Sequence, residues 1–186
     1  MASHANRSKI SSLRTAAVGI ILHALSFTSS PAHVAAPRDD AALCGFLQIQ
    51  RQFHHALDHC DSALRQDPSN ADIFSNRGSA NLSLGNFESA LADFSRSIEE
   101  RPSDASNYFN RALVHAATEQ HHQAIGDYTK ALELMPSLAI AYNNRGLAFE
   151  KLGERDKAVA DFRAALAIAP NLKLIENNLR GLGATP

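Results

Sequence analysis

The sequence has no tryptophan, only two cysteines, and no cluster of lysine and arginine after residue 37. Its net charge is −1 and its isoelectric point is about 6.7. The basic surface of nucleic-acid-binding proteins is therefore missing, and we expect no nucleic-acid partner. The sequence also lacks a glycine-rich phosphate loop and a nucleophile placed between a strand and a helix. We therefore expect neither enzymatic activity nor a cofactor.

A long uninterrupted apolar run is missing as well. Arg7, Lys9 and Arg14 precede the apolar stretch 16–25, which is shorter than the ~20 residues of a membrane-spanning helix. Small residues follow this stretch. The order is typical of a secretory signal, so we predict a signal peptide over residues 1–36, an exported protein that is periplasmic or secreted, and no membrane span in the mature chain. The alternative is a disordered N-terminal tail on a cytoplasmic protein.

The sequence does contain an internal repeat of constant period. The residue number rises by 34 between successive copies of a tripeptide, which are Asn76-Arg77-Gly78, Asn110-Arg111-Ala112 and Asn144-Arg145-Gly146. The same interval, the repeat period, separates four prolines, Pro68, Pro102, Pro136 and Pro170. A fixed period of this length indicates stacked structural repeats, in which each unit buries its apolar face against its neighbours.

Each repeat contains two apolar-periodic stretches separated by a short polar break such as Gly85-Asn86. This pattern predicts a helix, a turn and a second helix. Proline ends the second helix because it has no amide hydrogen and disfavours helical geometry in the preceding residue. Ser69 and Ser103 are then placed to cap the next helix. The predicted units are 37–70, 71–104, 105–138 and 139–172, followed by a capping helix and tail at 173–186.

One repeat carries a complete set of pattern residues, which are Tyr142, Gly146, Ala158, Phe162, Ala165-Leu166 and Pro170. With these residues, the sequence resembles the tetratricopeptide repeat family over about residues 40–183. The resemblance implies an all-α fold, a right-handed α-solenoid of helix-turn-helix units. Asp40 replaces an aromatic residue of the pattern and Glu119 replaces a turn glycine. Because Asp40 lies in unit 37–70, we expect that unit to be a degenerate end cap.

An arginine in the first helix of three units is matched by an aspartate in the second helix. The spacing is the same in all three pairs, which are Arg77 and Asp93, Arg111 and Asp127, and Arg145 and Asp161. In the first unit both members are missing, since Leu43 and His59 stand at these positions. We therefore predict one structural ion pair per unit. The alternative is that the arginines bind an anionic ligand.

Asparagine also recurs at the repeat period, at Asn76, Asn110, Asn144 and Asn178. By resemblance to the family, these side chains line a concave groove and bind the backbone of an extended peptide, because an amide both donates and accepts hydrogen bonds. Phe109, Leu113, Ile140 and Leu147 are expected to form an apolar anchor in this groove. Asn143 is expected on the same face. The alternative is that the asparagines bond local backbone or fill the helix interface.

The family includes members that grip an acidic chain terminus with lysine, asparagine and arginine at set positions. Ala41, Gly45, Ile140 and Asn144 stand where four of those residues are expected, and only Asn110 fits. We therefore exclude a ligand of that type for this chain.

Two cysteines and a histidine pair lie in the first unit. Cys44 and Cys60 are candidates for a disulfide, and the alternative is two buried thiols. His55 and His59 are four residues apart and so share a helix face, as two metal ligands would. No glutamate completes the hydrolytic zinc signature, so we expect no metal site.

These observations together predict a protein-protein interaction scaffold that binds a protein or peptide partner in its groove. The alternative is a rigid structural subunit of an envelope assembly that docks through its convex face.

Overall fold

The computed structural model describes residues 38–185, so the predicted signal peptide lies outside the described residues. Within this range the chain is built of α-helices and turns, without strands. The helices are α1 (Asp40–Ile49), α2 (Phe53–Gln66), α3 (Ala71–Leu84), α4 (Phe87–Glu100), α5 (Ala105–Ala117), α6 (His121–Leu134), α7 (Ala139–Lys151), α8 (Arg155–Ile168) and α9 (Lys173–Gly181). No helix in residues 38–185 combines the length and apolar character that crossing a membrane requires.

The chain forms two compact units that divide between Glu100 and Arg101. In the first unit α1 packs against α2 and α3 packs against α4, while both α1 and α2 contact α3. A buried cluster of Cys44, Cys60, Ala63 and Ile73 joins these helices. Each pair in this unit therefore buries its apolar face against a neighbouring helix as well as within itself.

In the second unit α5 packs against α6, α7 packs against both α6 and α8, and α9 packs against α8. The core at its C-terminal end contains Ala158, Phe162 and Ala165 of α8 together with Ile175 and Leu179 of α9. Helix α9 thus covers the apolar face that the last complete helix pair leaves open.

Close helix packing within a pair depends on a small residue opposite an aromatic ring. A Cβ atom built on Gly78 would lie 2.9 Å from the ring of Phe94, and one on Gly146 would lie 2.8 Å from the ring of Phe162. Real Cβ atoms do not approach other atoms this closely, so the glycines permit these contacts. One repeat period before Gly78 and Phe94, the corresponding residues are Cys44 and Cys60.

The helix caps differ by one residue from those expected. Asn70 and Asp104 cap α3 and α5, whereas the sequence had suggested Ser69 and Ser103. The Oδ1 atom of Asn70 accepts the backbone N–H groups of the second and third helical residues at 3.1 and 3.3 Å. Each serine lies in the turn that follows proline, so the cap is supplied by the next residue.

Candidate functional site

Each of the last three helix pairs contains an arginine–aspartate ion pair. Arg111 donates two hydrogen bonds to Asp127, at 2.7 and 2.8 Å. Arg145 donates two to Asp161, both at 2.8 Å. These two-point contacts connect the first helix of each pair to the second and fix their relative orientation.

Arg77 forms the corresponding contact with Asp93 and a further one with the preceding helix. Its Nη2 donates to Asp93 Oδ1 at 2.6 Å, and its Nη1 donates to Asp61 Oδ1 at 2.6 Å. Burial opposes the charge of Arg77, but the hydrogen bonds to Asp93 and Asp61 outweigh it and raise the pKa of Arg77. Because these donors are taken up inside the chain, the geometry does not favour the anion-binding alternative.

The first helix pair is held by different contacts. Asp40 receives a hydrogen bond from Ser62 at 2.5 Å and contacts His59 Nδ1 at 2.8 Å. The hydrogen bonds from Ser62 and His59 hold the pKa of Asp40 below its ordinary value. The structure also joins Cys44 to Cys60 in a disulfide, with their Cα atoms 4.8 Å apart. A covalent bond therefore occupies the positions where the next pair has Gly78 and Phe94.

The histidines of α2 do not converge on a common point with other ligands. His55 is exposed, whereas His59 is half-buried against Asp40. Among residues 38–185, no group of three or more His, Cys, Asp or Glu side chains is arranged to hold a metal ion.

The asparagine column divides into two groups. Asn178 Nδ2 donates to Asn143 Oδ1 at 2.9 Å, and Asn143 Nδ2 donates to Asn144 Oδ1 at 3.1 Å. This chain of amides ties α9 to α7. Asn76 and Asn110, by contrast, are partly exposed, and within residues 38–185 we find no hydrogen bond to either side chain.

The inner end of this amide chain is closed to solvent. The Nδ2 atom of Asn144 is buried, and within the described residues no group accepts a hydrogen bond from it. Burial raises the pKa of Tyr128, and the neighbouring Asn144 amide opposes the rise only in part. Asn143 donates to Asn144 Oδ1, whereas Asn144 Nδ2 has no partner in residues 38–185, so the groove role of Asn144 stays a prediction.

Three residues of the expected groove face also belong to the interior. Phe109 is 6% exposed, Leu113 3% and Asn143 2%. The ring of Phe109 packs against Tyr128, with ring centroids 5.8 Å apart. These side chains cannot reach a ligand, so their assignment to the groove surface is corrected. Ile140 and Leu147 remain half-buried, and Leu147 packs beside the core formed by α8 and α9.

Several exposed apolar side chains were missed in the sequence. They are Ile49, Leu134, Met135, Ile168, Leu172 and Leu174. The repeat alignment could have identified two of them. Leu134 and Ile168 stand one and two repeat periods after Glu100, and a charged residue at this repeat position indicates that the position is exposed. Leu174, which is 47% exposed, stands one period after Ile140 and so extends the same column of the first helices.

Comparison with known proteins agrees with this architecture. Sequence models described as tetratricopeptide repeat match residues 50–105 and 139–172, and a model described as TPR repeat matches residues 117–153. No curated protein matches the chain in sequence.

Solved structures of the same fold are similar over most of the described residues. The protein titled YrrB, "a TPR protein with an unusual peptide-binding site", is 22% identical, with a TM-score of 0.70 over 93% of this chain and 86% of its own. The TPR domain of Arabidopsis OM64 is 28% identical, with a TM-score of 0.60 over 61% of this chain and 93% of its own. The first TPR of Spaghetti (RPAP3), bound to the HSP90 peptide SRMEEVD, is 24% identical, with a TM-score of 0.60 over 61% and 90%.

The regularly repeated helix pairs, the small-to-aromatic packing and the matches to three repeat models lead to the same assignment. The chain is a tetratricopeptide repeat protein, an all-α solenoid of helix-turn-helix units.

Proposed function

We propose that this protein is an interaction scaffold that binds an extended segment of a partner protein along the first helices of its second unit, α5, α7 and α9. The observation that carries the proposal is the exposure of one helix face. By helical spacing and repeat period, the same face of the three helices carries Asn110 on α5, Ile140 and Leu147 on α7, and Leu174 on α9. Each of these side chains is at least partly exposed. Unpaired amide and apolar groups at one surface are what an extended peptide requires.

The chemistry of this face selects the kind of segment. Asn110 offers an amide for the peptide backbone, while Ile140 and Leu174 offer apolar contacts for its side chains. The lysines of the acidic-terminus type of site are absent, since Ala41 and Ile140 stand at those positions. The segment we propose is therefore uncharged or apolar, unlike the acidic HSP90 peptide bound to Spaghetti.

Selection from a displayed random-peptide library, followed by calorimetry with the full chain, tests this proposal. The double variant Asn110→Ala with Ile140→Asp is expected to weaken binding of a selected peptide by at least about tenfold, which corresponds to about 1.4 kcal/mol. Ala160→Asp is the matched control, because Ala160 is exposed on the second helix α8. Equal affinity of the double variant and the control would overturn the proposal.

We also propose that the protein acts outside the reducing cytosol. The Cys44–Cys60 disulfide supports this, because disulfides persist in oxidising compartments. Cell fractionation, with mass analysis after alkylation without reduction, tests it. An exported protein is expected to lack its N-terminal segment and to carry no alkylated cysteine. Full-length protein in the cytosol with both thiols alkylated would contradict it and support the cytoplasmic alternative.

A further inference from the structure

The ion-paired arginines differ in the rings that surround them. The guanidinium of Arg145 lies 5.5 Å from the ring centroid of Tyr142 and 6.0 Å from that of Phe149. Tyr142 and Phe149 are three residues before and four after Arg145, so the arginine lies between two rings along one face of α7. Such contacts favour a cation beside the electron-rich faces of the rings.

Arg77 has only the first of these two rings. Its guanidinium lies 5.7 Å from the ring centroid of Phe74, which corresponds to Tyr142. Asn81 stands two repeat periods before Phe149 and occupies the place of the second ring. Asn81 is buried and donates to Asp93 Oδ2 at 3.0 Å. The short amide is therefore held in position and leaves the space beside Arg77 unfilled.

An open cleft of about 360 Å³ lies at this place in the first unit. Arg77 and Asn81 line it together with Asp61, Ser89 and Ala92. Its volume falls within the range of about 300–1,000 Å³ in which small-ligand pockets occur.

The equivalent position in the third repeat also carries a ring. His115 stands one period after Asn81, contacts Gln120 Oε1 at 2.9 Å, and lies 3.8 Å from Asp127. Two of the three repeats that contain the ion pair thus place a ring beside it. Among these three repeats, only the repeat that contains Asn81 has no ring at this position.

The charge around the cleft restricts the partner further. The carboxylate of Asp61 is 53% exposed at the rim, where it accepts one hydrogen bond from Arg77 and has lone pairs left for another donor. Residues 38–100 carry ten acidic side chains and five arginines, a net charge of −5 with histidine neutral. A positively charged segment is attracted to such a surface.

We propose that this cleft binds a tyrosine or tryptophan side chain from a basic segment of a partner protein. The ring occupies the place that Phe149 fills in its own repeat and contacts the guanidinium of Arg77. Its hydroxyl or indole N–H donates to Asp61. The cleft is formed by residues of the first unit alone, so the proposal does not depend on the function proposed above.

Titration of the ¹⁵N-labelled full chain tests the proposal, with acetyl-Arg-Tyr-Arg-amide as the probe and acetyl-Arg-Ala-Arg-amide as its equally charged control. The tyrosine peptide is expected to shift the amides of Ser89 and Ala92 and the side-chain N–H of Arg77, and to bind at least about fivefold more tightly than the alanine peptide. Equal shifts from both peptides would mean that the cleft receives arginine, and would overturn the proposal. Shifts confined to other residues would also overturn it.

Two variants fill the cleft from within the chain. Asn81→Phe restores the ring found in the fourth repeat, and Ala92→Phe adds a ring at the exposed rim without touching the buried hydrogen bonds of Asn81. Each variant is expected to bind the tyrosine peptide at least fivefold more weakly than the wild type. Ala160→Phe is the matched control, because Ala160 is the exposed alanine two repeat periods after Ala92. If Ala92→Phe keeps the wild-type circular dichroism and the wild-type affinity, the proposal is wrong.

Discussion

At the scale of single residues, one turn position shows how the sequence both follows and departs from its repeat. Gly85 and Gly153 adopt left-handed backbone at φ values of 78° and 76°. Arg51 and Glu119, at the same position of their own repeats, adopt it at 61° although they have side chains. The fold imposes this conformation on all four turns. For a residue with a Cβ atom, the left-handed conformation is unfavourable by about 1–2 kcal/mol.

Replacing Glu119 with glycine is therefore expected to increase the free energy of unfolding by about 1 kcal/mol, because the left-handed conformation is no longer strained. Urea denaturation followed by circular dichroism measures the change. Gly153→Ala is the opposite control and is expected to lower the free energy of unfolding by a similar amount. If Glu119→Gly destabilises the protein, the turn is not strained in solution.

The buried ion pairs make a second prediction at this scale. Asp127 is almost fully buried and accepts two hydrogen bonds from Arg111, so Asp127→Asn leaves a half-buried guanidinium without its charge partner. We expect a loss of about 3 kcal/mol in the free energy of unfolding.

The control for this change is Glu133→Gln, which breaks the exposed pair with Lys130 and is expected to cost under about 1 kcal/mol. Similar midpoints of urea denaturation for Asp127→Asn and the wild type would show that the pairs do not hold the helices.

At the scale of helices, the sequence predicts the pairs and their turns but not every buried face. The repeat period and the prolines locate α3 to α9, because helical periodicity and helix termination are local properties. The burial of Phe109 and Leu113 is not local. Both lie at the edge of an apolar stripe, and periodicity does not decide whether packing in the folded chain covers such an edge.

The disulfide and the Asn144 network could not be derived from sequence for a related reason. The sequence offset between Cys44 and Cys60 permits either a disulfide or two thiols until the helix spacing is known. Asn144 can face a ligand or Tyr128 with the same backbone. In both cases the result depends on distances between helices rather than on their order.

Helix α1 provides the prediction at this scale. It has ten residues and lacks the arginine–aspartate pair, so the disulfide is its strongest tie to α2. Cys44→Ser with Cys60→Ser is expected to lower its stability by about 3 kcal/mol, the chain-entropy estimate for a loop of about 15 residues.

Hydrogen exchange measured by mass spectrometry tests this expectation. Amides of residues 40–49 should exchange faster in the double variant, and in the wild type after reduction, while those of α7 and α8 should not change. Unchanged protection of α1 would show that packing alone holds the helix.

At the scale of the whole molecule, stability depends on neighbouring repeats rather than on one central core. The apolar face of α8 is covered by Ile175 and Leu179 of α9, which are 1% and 0% exposed. In repeat proteins of this kind each unit contacts its neighbours, and an uncovered end exposes apolar surface. Helix faces that do not pack against a neighbouring repeat are available for partners.

Removal of α9 is the corresponding prediction. A chain that ends at Pro170 loses the burial of two large aliphatic side chains, and its free energy of unfolding is expected to fall by about 3–6 kcal/mol. Thermal unfolding and light scattering measure the loss and any association. A melting temperature equal to that of the full chain would show that α9 is not a structural cap.

An amide chemical-shift map of the ¹⁵N-labelled full chain with a peptide selected by display shows which helices bind the partner segment. If the protein is a repeat scaffold that binds through its first helices, the amides near Asn110, Ile140 and Leu174 shift together and Ile140→Asp abolishes those shifts. Shifts confined to α6 and α8, unchanged by Ile140→Asp, would show that the first helices do not bind the peptide.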